Sequence, residues 1–251
     1  MPSHANSLSA AAPDTRPRPS LAGSRRWRPA ASHPALTRRE RRLLARLRTP
    51  ALVQGWLNVL PYNVEQNGET QRSFRGVVRT HSAHCLEAAL FAAVVLEHHG
   101  HPPLVMSLES QDLLDHVIFV YRTPAGWGSV ARSRDPGLHG RKPVFRSIRA
   151  LAQSYVDPYV DYTGRVRGYG VANLAEAMGS YDWRWATGNV WKVERMLIDW
   201  PHVRLRNSTR RYRMLKKQYR EYRAAHHDRK PLYYRGREKW TPIPREFLRG
   251  G

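Results

Sequence analysis

A chain of 251 residues is long enough for one or two domains with a buried core. Hydrophobic residues account for 41% of it, with eight Trp and twelve Tyr, and this composition excludes a wholly disordered protein. The formal net charge is +22 and 36 of the 42 basic residues are Arg, so the chain is expected to attract nucleic acid, an anionic membrane surface or an acidic partner.

The sequence contains no segment that predicts a membrane span. The best candidate, residues 86–96, is shorter than the roughly 18–20 apolar residues that a helix needs to cross a bilayer, and Glu87 interrupts it. The basic N-terminus lacks the apolar segment of a secretory signal. The single cysteine, Cys85, cannot form an internal disulfide, so nothing indicates an oxidising compartment and we predict a cytoplasmic protein.

Residues 1–36 are rich in Pro, Ala, Ser and Arg and have no apolar periodicity, which predicts a disordered basic tail. Thr37 is placed to cap a short basic helix that stops before Pro50. A second helical segment follows at residues 51–60. We predict that these two helices form a preface to the core.

A loop at residues 62–79 is predicted to lead into an apolar helix that contains the single cysteine. Ser82 is placed to cap this helix, which runs to about His99, and Gly100 suits the position after its end. The helix is apolar nearly all round, which predicts that other elements enclose it. Cys85 then lies in the first turn, where unpaired N–H groups and the helix dipole stabilise a nucleophilic thiolate. The alternative is a small apolar residue that fills the core.

Short strands after this helix supply the partners that a thiolate nucleophile needs. Residues 104–108 predict one strand, and residues 116–121 and 127–133 predict an antiparallel hairpin, before helical spacing resumes at residues 145–156. His116 begins the first strand of the hairpin and is the candidate general base.

The hairpin turn decides which residue of the second strand lies opposite His116. A two-residue turn at positions 124–125 places Ser133 there, whereas a turn at positions 125–126 places Asp135 there. We favour Asp135, because a carboxylate stabilises the imidazolium of the base.

The order of these elements resembles the transglutaminase-like branch of the papain-like superfamily of cysteine-nucleophile enzymes. The matching segments are "HSAHCLEAALFAAVVLEHHGHPP", "DHVIFVYR" and "GWGSVARSRDPG". The resemblance implies Cys85 as nucleophile, His116 as general base and acid, and Asp135 as the orienting acid. It also implies acyl transfer through a thioester.

Two features depart from that family's usual pattern. The family commonly carries its acid in W-x-x-x-D, whereas Ala131 stands four residues after Trp127, and the short interval from cysteine to histidine would make the domain a minimal one. The resemblance further implies an oxyanion held by the backbone N–H of the cysteine and by one side-chain donor. The candidates for that donor, which the sequence does not rank, are Gln54, Asn63 and Gln71.

Histidines surround the cysteine without predicting a metal site. His81 and His84 have a metal-like spacing next to Cys85, whereas His98 and His101 lie at the far end of the same helix, about 20 Å away at about 1.5 Å per residue. One ion cannot use both groups. We therefore predict neither a metal nor another cofactor, and we interpret the two histidines before the cysteine as incidental.

Residues 161–251 predict a basic, aromatic-rich helical C-terminal extension to a core at residues 37–160. Helical patterns lie at residues 190–200 and 208–227, after an irregular stretch at residues 158–189. The second helix either docks its tyrosines on the domain or forms a basic arm on a phosphate backbone.

Residues 137–147, "GLHGRKPVFRS", contain glycines and basic residues but lack the order of a P-loop. We interpret this segment as a rim loop beside the proposed active site. In this interpretation Arg141 and Lys142 attract an acidic substrate.

The sequence as a whole predicts an α+β fold in which the cysteine-bearing helix packs on a small antiparallel sheet, flanked by helices, as in a papain/transglutaminase-like core. We predict a thiol enzyme that acts on a peptide or another amide or acyl substrate. Amide hydrolysis, transglutamination and related acyl transfer share this apparatus. The alternative is a non-catalytic basic protein of the same fold that binds nucleic acid or an acidic partner.

Overall fold

The computed structural model describes residues 36–111, 116–160 and 164–248. Within these ranges the chain forms eight α-helices and one six-stranded antiparallel sheet, so the predicted α+β class is confirmed. The helices are α1 (Arg38–Arg46), α2 (Pro50–Asn58), α3 (Phe74–Thr80), α4 (Cys85–His98), α5 (Ile148–Gln153), α6 (Leu174–Ala177), α7 (Trp191–Ile198) and α8 (Thr209–Ala225). The strands are β1 (Leu104–Ser110), β2 (His116–Thr123), β3 (Gly126–Val130), β4 (Arg141–Phe145), β5 (Val166–Asn173) and β6 (Val203–Arg204).

The sheet separates two hydrophobic cores. Its strand order is β4-β3-β2-β1-β5-β6, with every neighbouring pair antiparallel. Val105 and Val117 belong to the core that contains α1–α4 and α7, whereas Met106 and Ile118 belong to the core that contains α5. This alternation follows the two-residue period of a strand. Residues 86–97 of α4 are all buried, which agrees with the predicted enclosed helix.

The predicted helical preface is present. Thr37 caps α1, because its Oγ1 accepts a hydrogen bond from the Glu40 N–H at 3.1 Å and the Glu40 carboxylate accepts one from the Thr37 N–H at 2.7 Å. Pro50 is the first residue of α2. The N–H of a residue at this position donates no intrahelical hydrogen bond, so proline, which has no N–H, fits there without loss.

Two boundaries before Cys85 differ from the sequence prediction. The predicted loop at residues 62–79 contains most of α3, whose seven residues are too few to show an apolar period. Helix α4 begins at Cys85 itself, with His84 rather than Ser82 as the N-cap residue. Glu87 explains this start, because its carboxylate accepts a hydrogen bond from the His84 backbone N–H at 3.1 Å.

The hairpin has the first of the two predicted registers. Thr123 pairs with Gly126, so positions 124–125 form the turn. Continued along the strands, this register would put Ser133 opposite His116, but the pairing ends before it reaches either residue. The partner of His116 is therefore set by the loop that follows β3.

The chain beyond residue 160 completes the sheet, which corrects the predicted division into a core and an extension. Strand β5 pairs with β1 in the interior of the sheet. Its glycines obscured it in the sequence, since they weaken an apolar strand pattern. A Cβ on Gly168 would lie 2.7 Å from Oε2 of Glu109, and one on Gly170 would lie 3.0 Å from the Trp200 ring.

Helix α8 docks on the domain through Leu215 and Tyr219, which are buried, as one interpretation of residues 208–227 proposed. The described residues include no helix that is both long and apolar enough to cross a membrane. The predicted tail lies outside the described residues, except for Leu36, which packs against the core.

Candidate active site

Cys85 is the first residue of α4 and lies on the wall of a cavity of about 440 Å³. It is half-buried. The helix is 14 residues long, so its dipole and its first-turn N–H groups favour a negative charge at this position. The cysteine therefore lies in the first turn of α4.

His116 approaches the thiol from the start of β2. Its Nε2 lies 2.8 Å from the carbonyl oxygen of Leu138. Because a carbonyl only accepts hydrogen bonds, Nε2 is the protonated nitrogen. Nδ1 is then left for the hydrogen bond that joins His116 to the Cys85 side chain.

Asp135 does not orient His116, and this corrects the sequence prediction. The Asp135 carboxylate lies 2.6 Å from Nζ of Lys230, and its N–H donates to Oγ of Ser133 at 3.0 Å. Both residues line the cavity, but the Leu138 carbonyl occupies the imidazole nitrogen that either would contact. The physical reason is that β3 ends earlier, so the loop after it offers the ring a backbone carbonyl.

A buried arginine holds the loop that carries this carbonyl. Arg141 donates to the carbonyls of Gly137 and His139, each at 2.7 Å, on both sides of Leu138. Its guanidinium lies 4.0 Å and 4.5 Å from the centroids of two aromatic rings. Burial lowers the pKa of Arg141 to about 10, so it stays charged at neutral pH. The predicted rim loop is therefore wrong for Arg141, which is fully buried in β4 and cannot meet a substrate.

His84, interpreted from the sequence as incidental, is a second imidazole at the thiol. Its Nε2 lies 2.8 Å from the carbonyl oxygen of Thr70, which leaves Nδ1 for its hydrogen bond to Cys85. The carboxylates of Glu87 and Glu65 lie 3.6 Å and 3.8 Å from the same Nε2. The extended backbone at the N-cap position brings this ring to the start of the helix.

The two imidazoles stabilise the charged form of the thiol. Burial by itself raises the pKa of Cys85, but hydrogen bonds and charge from His116 and His84 outweigh it and hold the pKa well below its ordinary value. Burial opposes the charge on His84, yet the hydrogen bond and charge of Cys85, together with Glu87, raise the pKa of His84 to about 9. At neutral pH the site therefore holds a thiolate and an imidazolium.

Glu87 fixes the chain around this pair. Its carboxylate is fully buried and accepts four hydrogen bonds of 2.9–3.1 Å. The donors are Nδ2 of Asn63, Oγ1 of Thr70 and the backbone N–H groups of Arg72 and His84. A glutamate three residues after the N-cap is a capping-box signal, and this is the sequence feature that could have indicated the role of His84.

Among the three candidate oxyanion donors, Gln71 is the one that presents an unpartnered polar atom. Gln54 bonds the backbone of Ala131 through both ends of its amide, at 2.8 Å and 2.9 Å. Asn63 is hydrogen-bonded within the Glu87 network. Gln71 is buried and lines the cavity, and its Oε1, an acceptor, has no hydrogen-bond partner among the described residues.

Ser107 on β1 contributes a second polar atom of this kind. Its Oγ is buried in the cavity wall, where no described residue forms a hydrogen bond with it. Buried polar atoms in native proteins are nearly always hydrogen-bonded, so an unpartnered one is a place where a ligand atom can bond. Gln71 and Ser107 thus give the cavity that contains Cys85 two polar positions for a bound molecule.

The remaining cavity wall includes carboxylates and C-terminal residues. Glu65, Glu69 and Glu194 line it, and burial together with the other two carboxylates raises the pKa of Glu194. Tyr219 and Lys230 line it from the C-terminal part of the chain. The chain beyond residue 160 therefore closes the cavity, which gives that region a role the sequence did not indicate.

In the part of the chain that the structure describes, no group of three or more His, Cys, Asp or Glu residues is arranged to hold a metal ion. No protein-family model matches the chain, and no curated protein matches it.

Proposed function

We propose that the protein is a thiol-dependent acyl-transfer enzyme in which Cys85 attacks the carbonyl carbon of an amide or related acyl substrate. The observation that carries this proposal is a half-buried thiol on a cavity wall, hydrogen-bonded to two imidazoles. A cysteine that only filled a core would need neither the cavity nor the charged partners. Perturbed groups in a cleft are the usual sign of a reactive centre.

The two histidines have different roles in this proposal. His84 keeps its proton at neutral pH because its pKa is about 9, so it stabilises the thiolate and does not act as a base. His116 carries protons, since its Nε2 is held by the Leu138 carbonyl and its Nδ1 faces the sulfur. The Leu138 carbonyl takes the orienting role that the sequence assigned to Asp135.

The proposed reaction has two halves. In the first, the Cys85 thiol gives its proton to Nδ1 of His116, the sulfur forms a bond to the substrate carbonyl carbon, and the carbon–nitrogen bond breaks as the amine leaves with that proton. A thioester on Cys85 remains. In the second, water or an acceptor amine attacks the thioester carbonyl and gives its proton to His116, and the thiolate leaves. The choice between water and an amine separates hydrolysis from transglutamination.

The order of the elements supports placing the protein in the transglutaminase-like branch of the papain-like superfamily. A helix begins at the cysteine, the histidine opens a following strand, and an antiparallel strand returns beside it. The departure from the family pattern is chemical, because a backbone carbonyl stands where the family has an acid. A carbonyl orients the ring but adds no negative charge to it.

The test of the proposed function is acylation of Cys85 by 4-nitrophenyl acetate, an activated ester. The thiolate attacks the acetyl carbon and 4-nitrophenolate leaves, so absorbance reports the step and intact mass spectrometry reports the acetyl thioester. We expect a burst of one equivalent with the native chain and none with Cys85→Ala. Native protein whose Cys85 reacts no faster than the same thiol in denaturant would show that the site is not catalytic.

Gln71→Ala is expected to slow this acylation by about 10²–10³-fold, the usual effect of removing one oxyanion donor. The reason is that Gln71 lines the cavity, while the amides of Gln54 and Asn63 are engaged elsewhere, so the Nε2 N–H of Gln71 is the group placed to donate to the developing oxyanion. Alkylation of Cys85 by iodoacetamide is the control, because displacement at a saturated carbon forms no oxyanion. Equal slowing of both reactions would assign Gln71 to the shape of the cavity and not to oxyanion binding.

A further inference from the structure

A second cleft, separate from the cavity that contains Cys85, concentrates positive charge. It has a volume of about 790 Å³ and is lined by Arg149, Arg165, Arg167, Arg204 and Arg206. Among its described lining residues there is no Asp or Glu. It shares no lining residue with the cavity around Cys85, so its role is independent of the thiol chemistry.

The arginines of this cleft have no ion-pair partner among the residues that the structure describes. Within the described ranges none of the ion pairs involves any of the five, although Asp157 pairs with the nearby Arg211 at the start of α8. Arg165 is held in place by Oγ1 of Thr209 at 3.3 Å and the carbonyl of Asn207 at 3.4 Å, and its buried Nε has no hydrogen-bond partner within the described ranges. Five like charges in one cleft repel each other, and an anion bound between them removes that repulsion.

The start of α8 adds to the positive electrostatic potential of the cleft. Ser208 caps this 17-residue helix and Thr209 is its first residue, and both line the cleft. No acidic residue lies in its first turn, so the helix itself carries no carboxylate to offset the positive end of its dipole. The exposed side of α8, opposite the docked Leu215, continues the positive surface with Arg210 and Arg213.

We propose that this cleft and the exposed side of α8 bind the phosphate backbone of a nucleic acid without reading its sequence. A guanidinium bonds two phosphate oxygens at once, which makes arginine the residue suited to phosphate. The cleft exceeds the size of one phosphate, and the basic side of α8 extends it along a helix of about 25 Å at about 1.5 Å per residue. A ligand with regularly repeated charges, such as the phosphates of a duplex, matches a positive surface of this length.

The test compares two variants of the full chain that change the net charge equally. One carries Arg167→Gln, Arg204→Gln and Arg206→Gln in the cleft. The other carries the same replacement at exposed positions on the outer side of α1, namely Arg38, Arg42 and Arg46. Binding to a fluorescein-labelled DNA duplex of mixed sequence is measured by anisotropy between about 50 and 200 mM salt.

The native chain is expected to bind the duplex with an affinity that falls linearly, on logarithmic scales, with salt. The cleft variant is expected to reduce the slope by about 2.7, because each arginine that neutralises a phosphate contributes about 0.9 to it, and the α1 variant is expected to leave the slope nearly unchanged. Single Arg204→Gln and Arg206→Gln variants, each expected to reduce the slope by about 0.9, replace the triple variant if that does not fold. Cys85 alkylation at the native rate verifies the fold.

Three outcomes overturn the proposal. The native chain fails to bind the duplex, the two triple variants reduce the slope equally, or polyglutamate binds the native chain as tightly as the duplex and depends equally on the cleft arginines. The last result assigns the cleft to a carboxylate-rich protein. None of these results bears on acylation of Cys85, so the two proposals fail separately.

Discussion

Replacing His116 with alanine is expected to slow alkylation of Cys85 by iodoacetamide in acid and at neutral pH, and not to slow it in alkali. The alkylation rate follows the fraction of thiolate, and His116 is the first of the two groups that hold the pKa of Cys85 well below its ordinary value. Without that group the pKa rises, and each unit of increase lowers the rate near pH 6 about tenfold. Because the chain has one cysteine, intact mass spectrometry measures the rate directly.

The alkaline limb separates electrostatics from damage to the fold. Above the ordinary thiol pKa the sulfur is ionised in both proteins, and a thiolate of higher pKa is intrinsically the better nucleophile. The His116→Ala curve should therefore meet or cross the native curve in alkali. A uniform slowing at every pH would mean that the substitution blocks access to Cys85 and that His116 does not tune its charge.

His84→Ala and Asp135→Asn complete the comparison. His84→Ala should move the alkylation profile in the same direction as His116→Ala, since its imidazolium also stabilises the thiolate. Asp135→Asn should leave the profile in place, because that carboxylate pairs with Lys230 and the Leu138 carbonyl holds His116. A shift of the Asp135→Asn profile as large as that of His116→Ala would restore the acid to the role that the sequence predicted.

Local signals in the sequence predicted the elements that carry Cys85 and His116. A continuous apolar segment with Gly100 after it predicts α4, and two β-rich runs around a short turn predict β2 and β3. These features depend on near neighbours in the chain, so a single sequence contains them. The pairing of the thiol with a histidine at the head of the next hairpin followed from the same elements.

The third partner of the site could not be predicted in this way. The Leu138 carbonyl belongs to the backbone, and its direction is set by a buried Arg141 whose own position depends on aromatic rings from distant parts of the chain. No residue type in the loop indicates the direction of this carbonyl. The sequence therefore predicts an acidic side chain as the partner, Asp135, which the fold uses for an ion pair with Lys230.

The role of His84 was missed for a related reason. As a neighbour of Cys85 in the sequence it looked incidental, because on a helix adjacent residues point to different sides. The residue is not helical, and its extended backbone allows the ring to return to the thiol. That backbone is fixed by Glu87 and the segment around Thr70, contacts that become visible only when the chain is folded.

Glu87→Gln and Glu87→Ala are expected to be the most destabilising of the substitutions at this site. Every hydrogen-bonding group around the fully buried carboxylate is a donor. In Glu87→Gln the side-chain NH₂ group, which is also a donor, would face some of these donors and could not accept their hydrogen bonds. Removing one partner of a buried charge network typically costs about 3–5 kcal/mol, a large part of the roughly 5–15 kcal/mol that stabilises a domain. Urea unfolding followed by tryptophan fluorescence measures the loss.

Glu69→Gln is the matched control, since Glu69 is an exposed glutamate on the same cavity wall. This substitution should change the free energy of unfolding by no more than about 0.5 kcal/mol.

Glu87 also links stability to reactivity, because its carboxylate holds the N-cap residue whose imidazolium faces the thiol. In the fraction of Glu87→Gln that stays folded, the alkylation profile of Cys85 should therefore shift toward that of His84→Ala. A variant with unfolding and alkylation like those of Glu69→Gln would mean that the carboxylate supports neither the helix start nor the thiolate.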